Sequence, residues 1–180
     1  MRHLLKLVLV LGGFVAIPVW AEVRSVETHF FQSKLGDFQA ELENVKKDNK
    51  KGIFLFFEMD DCPWCARMKA NILNQSAVQD FYRSNFLIYS VDVKGDVPMI
   101  DFNGKPTTEK AFALENRVRA TPTMLFVDGT GKILTRFTGP TRSVDEMLLL
   151  GRYVVDDSYK QMPFTKYKQA APAVSTSRIE

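Results

Sequence analysis

Apolar residues change their spacing several times along this chain, and each change marks an element. Across residues 37–50, Phe38, Leu42 and Val45 recur at helical intervals among Glu41, Glu43, Lys46 and Lys47, which predicts an amphipathic helix with Asp37 as its N-cap. Residues 53–57, Ile-Phe-Leu-Phe-Phe, form an unbroken apolar run of strand length, the pattern of a central strand covered on both faces. Helix formers fill 66–73, a second helix is expected after Ser76 with Val78, Phe81 and Tyr82 inward, and 86–93 reads as another strand. Residues 94–108 contain Gly95, Pro98, Asn103-Gly104 and Pro106, so an inserted loop or small hairpin is expected there. A helix over 108–118 precedes a strand at 124–127, which Asp128-Gly129-Thr130-Gly131 turns into a partner strand at 132–138. Ser143 and Glu146 make a capping box ahead of a last core helix carrying Met147, Leu148 and Leu150. Residues 156–167 suit a short docking helix, and the stretch from 166–168 to 180, rich in Ala, Ser, Thr and Pro, is expected to be a flexible tail.

The N-terminus follows a different rule. A basic stretch, Met1-Arg2-His3-Leu4-Leu5-Lys6, leads into an apolar run over 7–19 that is broken by Gly12, Gly13 and Pro18. That is the layout of a secretory signal peptide, residues 1–21, with cleavage expected between Ala21 and Glu22. A retained anchor is the alternative, but the run falls short of the ~20 residues that a bilayer core requires. Export to the periplasm is the expectation, leaving a mature chain with an N-terminal extension at 22–36 and one domain at 37–165. Loss of Arg2 and Lys6 brings the 24 basic residues to near balance with 21 acidic ones, which gives no support to nucleic-acid binding. Fourteen phenylalanines supply core area without any need for a disulfide framework.

Only two cysteines are present, Cys62 and Cys65, in the sequence Cys62-Pro63-Trp64-Cys65. The loop they enclose is too short to add much stability by chain entropy, so the pair is expected to react rather than to staple. The motif falls where a buried strand gives way to a helix. Three-residue spacing on a helix puts both sulfurs on one face, and the unpaired N–H groups of the first turn stabilise a thiolate at Cys62. Cys62 is thus the expected nucleophile and Cys65 the resolving thiol, with Trp64 as an apolar surface for partners and Pro63 in a first-turn position where its missing N–H costs nothing. The same spacing is half of a zinc site. Zinc or copper would need further ligands, and the only histidines are His3 and His29. No metal and no other cofactor is expected.

The order of a buried strand, Cys-x-x-Cys opening a helix, then Thr121-Pro122-Thr123 leading into a strand, a hairpin and a final helix resembles the thioredoxin superfamily. Residues 94–108 and the segment Tyr159-Lys160-Gln161-Met162-Pro163-Phe164 resemble the SoxW-type periplasmic thioredoxins within it. The resemblance implies an α/β thioredoxin fold with a central mixed β-sheet flanked by helices. It also implies a cis bond before Pro122 and a Thr121 backbone that pairs with an incoming peptide. Two departures stand out. The position matching the buried aspartate of thioredoxins is Phe56, so proton transfer from Cys65 would fall to Glu58, to water, or to no dedicated group. The middle pair is Pro-Trp rather than Gly-Pro, and the Gly-Gly that follows the cis proline in glutaredoxins is missing here.

Asp60 and Asp61 precede the nucleophile, and negative charge there disfavours a thiolate and favours a reducing couple, unless solvent screens it. These two residues therefore favour a reductase of exported-protein disulfides, and a reductase in an oxidising compartment implies electrons from a membrane donor of the DsbD or CcdA type. A dithiol oxidase or isomerase of the same fold is the alternative.

Overall fold

The computed structural model describes residues 22–33 and 36–170. The expected signal peptide and the last ten residues of the expected tail lie outside them. The run 53–57 forms the centre of β1 (Gly52–Glu58), whose residues alternate between two cores. Phe54 and Phe56 face one side and Ile53, Leu55 and Phe57 the other, all fully buried. β2 (Phe86–Asp92) pairs parallel to β1, and β5 (Thr123–Val127) pairs antiparallel on its other edge, followed by β6 (Ile133–Thr138). The sheet order β2-β1-β5-β6 is the mixed sheet expected.

Helices cover both faces. α1 (Phe38–Lys47), capped by the Asp37 carboxylate on the N–H of Ala40 at 2.9 Å, packs with α4 (Glu109–Glu115) over the Ile53, Leu55 and Phe57 face. The opposite face carries α2 (Pro63–Met68), which continues into a π turn at Lys69–Leu73, then α3 (Ser76–Asn85) and α5 (Val144–Val155). Residues 94–108 hold a hairpin of β3 (Pro98–Ile100) and β4 (Pro106–Thr108). The Asp101 carboxylate accepts from the N–H groups of Asn103 and Lys105, and Gly104 takes the left-handed φ of +79° that the turn requires.

Both ends of the described chain are docked. In the N-terminal extension a π turn at Val26–Phe30 buries Phe30, whose ring centroid lies 5.3 Å from Phe31, 6.1 Å from Phe54 and 5.9 Å from Tyr82. Gln32 exchanges backbone and side-chain hydrogen bonds with Ile88, which covers the outer edge of β2. At the other end α6 (Phe164–Ala170) lays Phe164 and Tyr167 against Tyr153 of α5. The helix corrects the expected start of the flexible tail. Residues 166–170 are helical because Tyr167 finds the Tyr153 ring and Lys168 the Glu146 carboxylate, at 2.7 Å. The capping box also differs in one half. Ser143 Oγ accepts from the N–H of Glu146 at 3.1 Å, but Glu146 returns to the N–H of Arg142 at 2.6 Å rather than to that of Ser143. Among the described residues no helix is long and apolar enough to cross a membrane.

Candidate active site

Cys62 is the N-cap of α2. Its backbone is extended (φ −109°, ψ 95°), Pro63 occupies the first turn, and its sulfur accepts from the N–H of Cys65 at 3.1 Å. The two cysteines are joined in a disulfide with Cα atoms 5.2 Å apart, and both are buried. The sequence positions the pair by a simple device: a fully buried strand ends at Glu58, four residues turn the chain, and a proline opens the helix.

Pro122 enters the same end of the sheet. Thr123 stands opposite Phe57, so Thr121 and Pro122 continue past the end of β1 from which the chain runs to Cys62. The Thr121–Pro122 bond is cis, and the Pro122 carbonyl accepts from the N–H of Gly139 at 2.8 Å. The backbone N–H and carbonyl of Thr121 take no partner among the described residues. Beside Thr121 lies a small cleft bordered by Met59, Leu114 and Val118. Trp64, two positions after Cys62, is 51% exposed, with the Arg67 guanidinium 5.5 Å from its ring centroid.

On the other side of the pair a cavity of about 220 Å³ is lined by Glu58, Asp60, Cys62, Cys65, Lys69 and Asp92. Glu58 shares it with Cys65. One carboxylate oxygen bonds Lys69 at 2.7 Å and the other accepts from the Ser90 hydroxyl. Lys69 also reaches Glu27 of the N-terminal extension at 3.0 Å and lies 5.5 Å from the Phe31 ring centroid. Burial works against its ammonium, but the hydrogen bonds it donates to Glu58 and Glu27 outweigh that and raise its pKa. Nothing in the sequence singles out Lys69 beyond its place one helical turn after Cys65. Phe56 is fully buried against the core that also holds both cysteines, so no carboxylate sits where the resemblance would put one.

Asp60 and Asp61 are both exposed, and Asp61 pairs with Lys94 at 3.3 Å. Their charge reaches Cys62 through solvent and a compensating ammonium, which weakens the argument for a reducing couple drawn from them. Among the described residues no cluster of three or more His, Cys, Asp or Glu side chains is placed to hold a metal.

Over 97 residues the chain is 30% identical to the Disulfide bond reductase DsbH of Chlamydia pneumoniae, an alignment covering 53% of this chain and 56% of that protein. The chain thus matches little more than half the length of this curated relative. Among solved structures it is similar to a thioredoxin from Thermus thermophilus, at 25% identity and a TM-score of 0.50, covering 64% of this chain and 82% of that one. It is also similar in fold to a thioredoxin-fold protein from Helicobacter pylori, at 24% identity and a TM-score of 0.55 over 67% and 82% of the two chains. A sequence model of the thioredoxin-like domain matches residues 38–154, from the first turn of α1 nearly to the end of α5 and including both cysteines and Pro122. With that match and the mixed sheet, cysteine pair and cis proline described above, the chain belongs to the thioredoxin-like domain family.

Proposed function

We propose that this protein is a periplasmic thiol–disulfide oxidoreductase that reduces disulfides of exported proteins. The observation that carries the reading is the bonded Cys62–Cys65 pair at the start of α2, with an N–H aimed at the Cys62 sulfur. In the reduced enzyme the Cys62 thiolate attacks a partner's disulfide, and one partner sulfur leaves as a thiolate that takes up a proton. Cys65 then loses its proton and attacks the Cys62 sulfur, which releases the second partner thiol and restores the Cys62–Cys65 bond. Two electrons pass to the partner in each cycle, and of the two protons it gains one balances that lost by Cys65 and the other comes from solvent. The unpaired Thr121 backbone beside Pro122 would hold the partner as a short strand over Cys62, and Trp64 would give it apolar surface. Glu58, in the cavity with Cys65 and tied to Lys69, is the group we assign to accept the resolving proton.

Return to the dithiol state requires electrons from outside, for which a membrane donor of the DsbD or CcdA type is the proposed source. The name of the Chlamydia relative supports the reductive direction. The test is insulin reduction by the mature chain, with Cys62→Ser abolishing it, together with the equilibrium potential of the pair against glutathione. A value near ~−270 mV fits a reductase, and one near ~−120 mV would reassign the protein as a dithiol oxidase. Stoichiometric zinc or copper lost in Cys62→Ser, without insulin reduction, would replace the redox reading altogether.

A further inference from the structure

A groove next to the cysteine pair carries charge that the thiol chemistry does not use. It is lined by Trp64, Arg67, Met68, Pro140, Thr141 and Arg142 and encloses about 530 Å³. Trp64 and Met68 belong to α2, and the other wall follows Gly139, whose N–H is bonded to Pro122, so the groove runs between the helix that Cys62 caps and the segment after Pro122. Two guanidinium groups stand on its walls. Neither Arg67 nor Arg142 has a carboxylate in ion-pair contact among the described residues. The buried carboxylate near Arg142 is already committed: Glu146 accepts from Lys168 and from the Arg142 N–H, which with a smaller share from the Arg142 charge hold its pKa down despite burial. Across the cysteine pair the sign reverses, with Asp60 exposed and unpaired among the described residues and Asp61 offset by Lys94.

We propose that this groove selects disulfide partners that carry a carboxylate close to the reacting cysteine, on the side facing Arg67 and Arg142. The inference rests on the oxidoreductase reading and adds the substrate class. A guanidinium presents a planar fork that matches a carboxylate, and Arg67, stacked over the Trp64 ring, offers that fork from a braced position. The opposite charges on the two flanks of the pair give a segment lying across it one favoured direction. A basic segment in the groove meets two unpaired cations and is disfavoured.

The test uses the reduced mature chain and three disulfide-linked peptides of equal length, with Asp and Glu, Asn and Gln, or Lys flanking the cysteine on both sides. Second-order reduction rates are read by release of a quenched fluorophore. The acidic peptide is expected to react roughly tenfold faster than the neutral one at low salt, the advantage of two exposed ion pairs, and to lose most of that lead at ~0.5 M salt. R67Q/R142Q brings the acidic rate to the neutral rate, and R67K/R142K, which keeps the charge, retains part of the preference. Equal rates for the three peptides with the unmodified chain, or a preference for lysine, overturn the inference even if R67Q/R142Q does not fold. Failure to reduce any of the three overturns the oxidoreductase reading instead.

Discussion

Cys62 and Cys65 are close to equally buried, so their difference in reactivity must come from the N–H groups of α2. The Cys65 N–H lies 3.1 Å from the Cys62 sulfur, and a hydrogen bond to a charged acceptor contributes about 1.5–3 kcal/mol. The positive end of the helix adds about 0.3–1 kcal/mol. Sulfur is a weak acceptor, so the lower sum of about 2 kcal/mol is the safer figure, and at ~1.36 kcal/mol per factor of ten it enriches the thiolate roughly 30-fold. A better-stabilised thiolate is also a poorer nucleophile, and a Brønsted slope of ~0.4–0.5 returns close to half of that gain on a logarithmic scale. The net expectation is about a fivefold faster reaction than a free thiol at pH ~6.5. Cys65 cannot use its own N–H in this way. In the Cys65→Ser variant Cys62 should therefore react with iodoacetamide about five times faster than Cys65 does in the Cys62→Ser variant at that pH, as followed by intact-mass spectrometry. Equal rates, or a faster Cys65, would refute the assignment of nucleophile and resolving thiol without touching the fold.

Phe30→Ala removes a fully buried ring from the N-terminal extension and should cost about 3–5 kcal/mol, lowering the thermal midpoint by roughly 10 °C in a calorimetric scan; a loss under ~2 °C would show that the extension is not part of the core. Glu58→Gln should slow insulin reduction by about tenfold or more and flatten its pH profile, while a change in the thermal midpoint alone would mark Glu58 as structural. Asp157 is held at about 2, below its ordinary 3.8, by hydrogen bonds from Lys51 and Lys160. The stabilisation from that depressed value is complete above pH 3.8 and is lost as pH falls toward 2, so the midpoint gap between the unmodified chain and Asp157→Asn should be constant at neutral pH and close over that interval. Asparagine also tolerates the left-handed backbone there, so a pH-independent gap would count against the ion pairs.

Elements whose causes are local could be read from the sequence. The run 53–57 needs no distant partner to be recognised as a buried strand, Asp37 caps α1 from three residues away, and the Asn103-Gly104 turn closes its own hairpin. The cysteine pair belongs to this class, because its placement depends on β1 ending and Pro63 beginning a helix. What escaped depends on residues far apart in the chain. Phe30 and Phe31 show no periodicity, and only Phe54, Phe56 and Tyr82 make them core. Lys69 gains its role from Glu58 and Glu27, 11 and 42 positions away. The start of α6 is legible as part of a docking helix, but its last turn has the composition of a tail, because the Glu146 partner of Lys168 lies 22 positions earlier.

These distant contacts fall in a pattern. The family match spans residues 38–154, and Glu27 and Lys168 lie outside it on opposite sides. Each ends an ionic chain that reaches a different flank of the cysteine pair. Glu27 and Glu58 share Lys69 beside the cavity under Cys65, while Lys168 and the N–H of Arg142 share Glu146 behind the Trp64 groove. The placement of the sulfurs depends on α2 and the strand before it, which the matched region contains in full. Charge on either flank depends on segments that the matched region does not contain. Glu27→Gln or Lys168→Gln would therefore leave the Cys62 cap hydrogen bond in place and free Lys69 or Glu146 to re-pair, changing which partner is accepted before changing whether the thiol can attack.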